Sequence, residues 1–364
     1  MAGTAGPDGT TELHAVGCDP DERFRIASIT KPMTAALAVR VLDVDAPTGI
    51  WPEDVRVRHL LSHTSGFGCE NGDLARFGDG DDALGLAVAE LPQVKRFLGV
   101  DEAWSYANTG YWLAGWLAGE ATGETFEDAL RHHVLGPAGM ASADFDEPEL
   151  SGSGRGATTD RYPRARRPSG GLVAEASDVI RFGRWQLSEP WTETQRQPLA
   201  RPLGGVYGLG LFGERVAGAD VWGHGGSYGG FQSTLLIVPS KGAVFVGLTS
   251  SGEGSRALRE LEDLWFERLL GERRRVAEQI VLPEAALDAF AGTYANDETT
   301  AVVARSGGGL SVVVTEEAET LELWAPPIGE RTFEVAGGPF EGSRLDFPVE
   351  GFARVGYRLA ARVE

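Results

Sequence analysis

Lysine is almost missing from this chain: among 33 basic residues only Lys31, Lys95 and Lys241 are lysine, and the rest are arginine. Cysteine is equally scarce, with Cys18 and Cys69 alone, and their spacing suggests neither a disulfide framework nor a metal site. No apolar run approaches the roughly 18 residues a membrane span needs. The opening residues lack the basic stretch and apolar stretch of a secretory leader, so a cytoplasmic location without membrane contact is expected. Positive charge is in deficit too. The formal net charge is −20, whereas binding a phosphate backbone takes clustered lysine and arginine, so nucleic acid is not an expected partner. The one dense basic stretch, Arg161 to Arg167, reads as a solvated loop. What is present is ordinary: 364 residues, 42% hydrophobic and 24% charged, enough for one large domain and a smaller one.

Residues 33–42 (MTAALAVRVL) are helix formers with apolar side chains on most sides, the pattern of a buried helix. A second helical run, 110–120, stops at the glycine-containing stretch 121–123. Residues 231–238 and 243–249 are β-rich and nearly continuously apolar, separated by a turn-forming tetrad at 239–242, which predicts a hairpin in a sheet covered on both faces. Leu258, Leu261, Trp265 and Leu269 then recur at helical spacing, as in an amphipathic helix lying on that sheet. Past Pro283 the pattern changes to short β-rich runs (300–304, 310–315, 320–324, 331–335, 355–359) punctuated by glycine and proline. They predict a separate antiparallel β domain of the small-barrel kind, so the expected division is 1–282 and 283–364.

Three elements carry chemistry. Ser28-Ile29-Thr30-Lys31 places a hydroxyl and an amine three residues apart at the head of a helix, on one face. A serine is a poor nucleophile until a neighbour takes its proton, which a lysine can do when burial and positive surroundings lower its pKa. Arginine cannot do this, and in a chain that otherwise uses arginine the lysine at 31 stands out. Pro32 confines the helix to a start at or just before Ser28. Tyr106-Ala107-Asn108 can turn a phenol and a carboxamide toward one cleft, the phenol to relay a proton and the amide to bind an acyl side chain. Its repeat at Tyr294-Ala295-Asn296 falls on the first strand of the C-terminal part and reads as structural. His224-Gly225-Gly226-Ser227 brings flexible backbone to a strand, where a substrate can approach closely. The N–H of Ser227 would complete an oxyanion site with that of Ser28, and His224 could tune Lys31 or Tyr106 or assist proton transfer.

In this order the three elements resemble the S-x-x-K, Y-x-N and H-x-G boxes of the class C β-lactamase and penicillin-binding-protein superfamily. The stretches 24–31 (FRIASITK), 57–66 (VRHLLSHTSG), 136–140, 169–173 (SGGLV) and 223–231 agree, so the resemblance covers roughly residues 20–250. Residues 290–294 are similar to the lipocalin-like domain that follows in some members. The resemblance implies an α/β (α+β) fold: an antiparallel central sheet flanked by helices, a helical subdomain, then a small antiparallel barrel. It implies catalysis by Ser28, Lys31, Tyr106 and His224, with Asn108, Gly226 and Ser227 binding substrate and oxyanion, without cofactor or metal. Two departures count. His224 stands where true β-lactamases carry lysine, which argues against antibiotic hydrolysis as the main activity. Only 27 residues precede Ser28, which suggests a strand missing from the sheet.

The expected activity is acyl transfer through an acyl-enzyme on Ser28, from a small ester or amide, peptides included. The acceptor decides between esterase, amidase or D-aminopeptidase, and biosynthetic transacylase, and the sequence leaves that choice and the oligomeric state open. The alternative is a catalytically idle ligand-binding protein of the same fold. The C-terminal β domain is expected to shape substrate entry, since none of its residues completes a box.

Overall fold

The computed structural model of the chain describes residues 1–50, 53–68, 72–146, 150–316, 319–338 and 340–363. Cys69 lies outside the described residues, and Cys18 is a half-buried free thiol. The hairpin at 231–249 forms as its pattern predicts. Strands β8 (Phe231–Val238) and β9 (Ala243–Thr249) pair antiparallel around a tight turn closed by Gly242 at φ 57°.

Seven antiparallel strands make the main sheet, in the order β2-β1-β9-β8-β7-β6-β5. The others are β1 (Ala2–Ala5), β2 (Thr11–His14), β5 (Val206–Tyr207), β6 (Phe212–Val216) and β7 (Ala219–Tyr228). Both N-terminal strands are therefore present, contrary to the expectation that one was lost. Each is only four residues long, and that economy accommodates them ahead of Ser28. β3 (Phe24–Arg25) and β4 (Val173–Ala174) form a separate two-stranded sheet.

The continuous apolarity of β8 follows from what covers each face. Leu235 and Ile237 join a core with Met33, Leu37, Val179 and Phe182, from helices Thr30–Val41 and Ala176–Ser188. Leu236 and Val238 point the other way, as period-two alternation requires, and pack with Trp265 and Phe266 of helix Ser255–Leu270. In that helix Leu261 is exposed, and Phe266 takes the inward place. Between β3 and β4 the chain builds the helical part around helix Asn108–Thr122, which begins two residues before the expected start and ends at Gly123 in the left-handed conformation. No described helix is long and apolar enough to cross a membrane.

Beyond an irregular stretch, 273–283, come strands β10 (Gly292–Ala295), β11 (Thr299–Ser306), β12 (Gly309–Glu316), β13 (Glu319–Ala325), β14 (Thr332–Glu334), β15 (Arg344–Asp346), β16 (Phe352–Val355) and β17 (Arg358–Arg362), antiparallel in the order β13-β12-β11-β10-β17-β16-β15-β14. The bonds Ala336 N to Trp324 O (2.9 Å) and Glu334 N to Pro326 O (3.1 Å) draw the two ends of this sheet together into a nearly closed barrel, around Val303, Val312, Phe333, Phe347 and Ala353. Tyr294 and Asn296 have structural bonds there, the phenol to Phe290 O and the amide to Leu359 O. One expected strand is wrong in kind. Residues 355–359 are not one strand but span the end of β16, a turn, and the start of β17. Val355 pairs with Arg358, leaving Gly356 and Tyr357 as a two-residue loop with both φ angles positive, 58° and 72°, the geometry that suits tight hairpins.

Candidate active site

Ser28 does not open the long helix itself. It sits in a 3₁₀ turn, Ala27–Ile29, and the α-helix starts at Thr30. Ala27 forces this with φ 45°, a conformation costly for any residue with a Cβ, held because Thr30 Oγ1 donates to Ala27 O at 2.7 Å. The turn resolves the difficulty with proline: Pro32 falls in the first turn of the α-helix, where its missing N–H has no helical partner to lose. Three residues per turn also bring i and i+3 nearly into line, and the Lys31 amine donates to Ser28 Oγ at 3.1 Å.

Lys31 is fully buried, and its amine also donates to the Ser169 carbonyl at 2.6 Å. That carbonyl belongs to the SGGLV stretch, which the sequence reading noted but assigned no role. Its hold is extensive: Thr34 Oγ1 donates to Pro168 O (2.7 Å), Trp112 Nε1 donates to Ser169 Oγ (3.1 Å) and Ser169 Oγ donates to Arg166 O (2.8 Å). The basic stretch just before it is no solvated loop. Arg164 and Arg167 both pair with Glu127, at 3.0 and 2.7 Å, with side chains only 17% and 20% exposed. They anchor the segment that presents Ser169.

The Tyr106 ring lies beneath the Lys31 amine, 4.7 Å from ring centre to nitrogen, and 6.0 Å from the His224 ring. Ala107 is extended, while Asn108 is the first residue of the helix; the Asn108 side-chain oxygen is buried with no hydrogen-bond partner among the described residues. On β7, Gly226 passes so close to the nucleophile turn that a Cβ there would meet Ile26 O at 2.3 Å and Ser28 N at 3.0 Å. Only glycine fits, and the close pass sets the exposed Ser227 beside the turn, its Oγ accepting from Gln232 Nε2.

His224 is buried, and its Nδ1 lies 2.6 Å from the Gly225 carbonyl oxygen. A carbonyl only accepts, so Nδ1 carries the proton and Nε2 the lone pair; Nε2 is buried without a partner among the described residues. Burial, then the neighbouring Lys31 charge, pushes this imidazole down to about 3. It is neutral at ordinary pH and cannot replace the positive charge of a lysine.

The sequence reading missed His63, inside the quoted VRHLLSHTSG stretch. This histidine, at φ 59°, is fully enclosed by the rings of Tyr106, Tyr111 and Tyr207, 4.4 to 5.2 Å away between centres. Its Nδ1 accepts from Ala107 N at 3.1 Å and its carbonyl from Ser105 N at 2.9 Å. Burial first, then the charges of Lys31 and His224, holds it well below the usual imidazole range. A polar cavity of about 520 Å³ lies apart, lined by Asp79, Glu127, Arg131, Arg164 and others but by none of the seven predicted site residues. Among the described residues no cluster of three or more His, Cys, Asp or Glu could hold a metal ion.

With this geometry in place, the comparisons fall on the same region. The beta-lactamase family model matches residues 5–270. The chain belongs to the beta-lactamase family of serine hydrolase folds, with penicillin-binding proteins among its relatives. It is 29% identical to penicillin-binding protein 4 of Amycolatopsis lactamdurans over 311 residues, 71% of this chain and 78% of that one. In fold it is similar to SurE (TM-score 0.78, 24% identity, 100% and 94% of the two chains). It is also similar to the D-amino acid amidase of Ochrobactrum anthropi SV3 (TM-score 0.61, 23% identity, 73% and 94%).

Proposed function

We propose that this protein is an acyl-transferring serine hydrolase in which Ser28 forms an acyl-enzyme. The observation that carries the reading is the buried Lys31 amine, bonded at once to Ser28 Oγ (3.1 Å) and to a fixed backbone carbonyl (2.6 Å). In its neutral form the Lys31 amine takes the Ser28 proton as Oγ attacks the substrate carbonyl carbon. The N–H groups of Ser28 and Ser227 hold the oxyanion, for which the close pass of Gly226 gives the support. As the tetrahedral intermediate collapses, Tyr106 delivers a proton to the leaving group, leaving an ester on Ser28. Water, or an amine or alcohol, then attacks that ester, with the proton path reversed. Asn108, with a buried oxygen to satisfy, binds the acyl side chain, and the bare Nε2 of His224 accepts a hydrogen bond from substrate or from Tyr106.

The substrate class is a small ester or amide. Because SurE has also been solved with D-Leu, and another neighbour of like fold is a D-amino acid amidase, D-configured amino-acid amides and esters are the first to try. The division of the chain at 282/283 and a cytoplasmic location belong to the same proposal. Intact mass after incubation with p-nitrophenyl acetate tests it: wild type gains one acetyl group and Ser28→Ala gains none. An acetylated Ser28→Ala protein overturns the assignment of the nucleophile.

A further inference from the structure

The segment that carries Tyr106 is held from two directions, and one of them is the C-terminal barrel. Successive backbone amides are bonded alternately. Ser105 N and Ala107 N go to His63, at 2.9 and 3.1 Å, whereas Tyr106 N donates to the carbonyl of Tyr357 at 3.0 Å. Tyr357 occupies the turn between β16 and β17, at φ 72°, where a side chain is strained. Two further bonds from the same hairpin flank it: Leu359 N donates to Ser105 Oγ at 3.2 Å, and Arg354 Nη1 donates to Trp104 O at 2.7 Å.

Arg354 is 2% exposed, and its other two bonds clasp the Asp346 carboxylate, at 2.8 and 2.6 Å. A fork held by a carboxylate on one side has a fixed direction on the other, so Arg354 aims a rigid donor at the Trp104 carbonyl. Its guanidinium also lies 5.5 Å from the Trp104 ring centre. A domain that served only to narrow the entrance would have no need to bond residues 104, 105 and 106 each in turn, nor to bury an ion pair at the contact.

We propose that the β16–β17 hairpin, with the Arg354 and Asp346 pair behind it, is a positioning element for Tyr106. The inference rests on the proton-donating role given to Tyr106 above. A misplaced phenol hurts most when the leaving group is a poor one that needs its proton early. Loss of the hairpin's grip therefore steepens the dependence of acylation rate on leaving-group acidity, beyond any uniform drop in rate.

The test uses the full chain and a series of phenyl acetates, from p-nitrophenyl to unsubstituted phenyl, with hydrogen exchange of the peptide containing residues 104–107 followed by mass spectrometry. The main variant is Arg354→Met with Asp346→Leu, which removes both buried partners together and so leaves no orphaned charge. Arg354→Lys, which keeps the charge and loses the fork, serves if the double variant does not fold. Tyr106→Phe is the benchmark. Arg305→Ala, which removes a barrel side chain on another strand, bonded to Asp288 at 2.8 Å and outside the β16–β17 hairpin, is the control.

The expected result is faster exchange at 104–107 and a loss at least about tenfold greater for phenyl than for p-nitrophenyl acetate, the latter as in Tyr106→Phe, and neither in Arg305→Ala. A folded Arg354 variant with wild-type exchange at 104–107 overturns the positioning role. So does an unchanged slope in a variant when Tyr106→Phe changes it. If Tyr106→Phe itself leaves the slope unchanged, the proton-donating role fails, and hydrogen exchange alone then decides whether the hairpin holds the segment.

Discussion

Lys31→Arg keeps the positive charge of the buried side chain but removes its ability to accept a proton. If Lys31 is the base, acylation by p-nitrophenyl acetate falls about a hundredfold or more, the usual contribution of a positioned general base. A folded variant within about threefold of wild type would mean that Lys31 acts only through its charge. The two buried imidazoles make a second prediction at this scale. His224, pushed down to about 3, and His63, also held low, refuse a proton that the unfolded chain accepts below about pH 6.5. Their contribution to stability is complete above that pH and shrinks as the pH falls, for His224 until about 3, where the folded protein protonates too. Each imidazole costs about 1.4 kcal/mol per pH unit inside its window. Urea unfolding between pH 7 and pH 4 measures the slope, and His224→Gln should flatten it by the share of one group.

At the level of elements, the site is an assembly of short irregular pieces backed by regular ones. The 3₁₀ turn with Ser28 is set against β7, and the Ser169 carbonyl is carried by a segment that Glu127 ties down through Arg164 and Arg167. Glu127→Gln leaves two half-buried guanidiniums without their shared carboxylate. It should cost about 1–3 kcal/mol in urea unfolding and lower kcat more than it raises KM, because Lys31 loses a fixed partner while the substrate pocket is untouched. An unchanged kcat with that stability loss would show that Ser169 stays in place without its anchor. The elements legible beforehand were those with long, periodic patterns, such as the hairpin at 231–249 and the helix after Lys31. The turn at 356–357 was read as strand, because Val355, Tyr357 and Leu359 have β propensity, and only the register of β16 with β17 reveals the reversal.

Across the whole molecule, a net charge of −20 means self-repulsion that salt screens. Raising the ionic strength from about 0.05 to 0.5 M, which shortens the screening length to a few ångströms, should therefore raise Tm by a few degrees. A Tm that falls instead would mean that surface ion pairs such as Arg76 with Glu90 outweigh the repulsion. What the sequence alone determined was the type of fold and a set of candidate residues that the structure brings together, because Ser28, Lys31, Tyr106 and His224 lie in local patterns whose spacing is set by one turn of helix or one stretch of strand. The tertiary structure decided what surrounds them. Ser169 is 138 residues from Lys31 and Arg354 is 250 from Trp104, and backbone carbonyls and buried forks leave no periodic trace. His63 was likewise invisible as a support for the Tyr106 segment, since its neutral state and its bonds to residues 105 and 107 come from burial, which is a property of the folded chain alone.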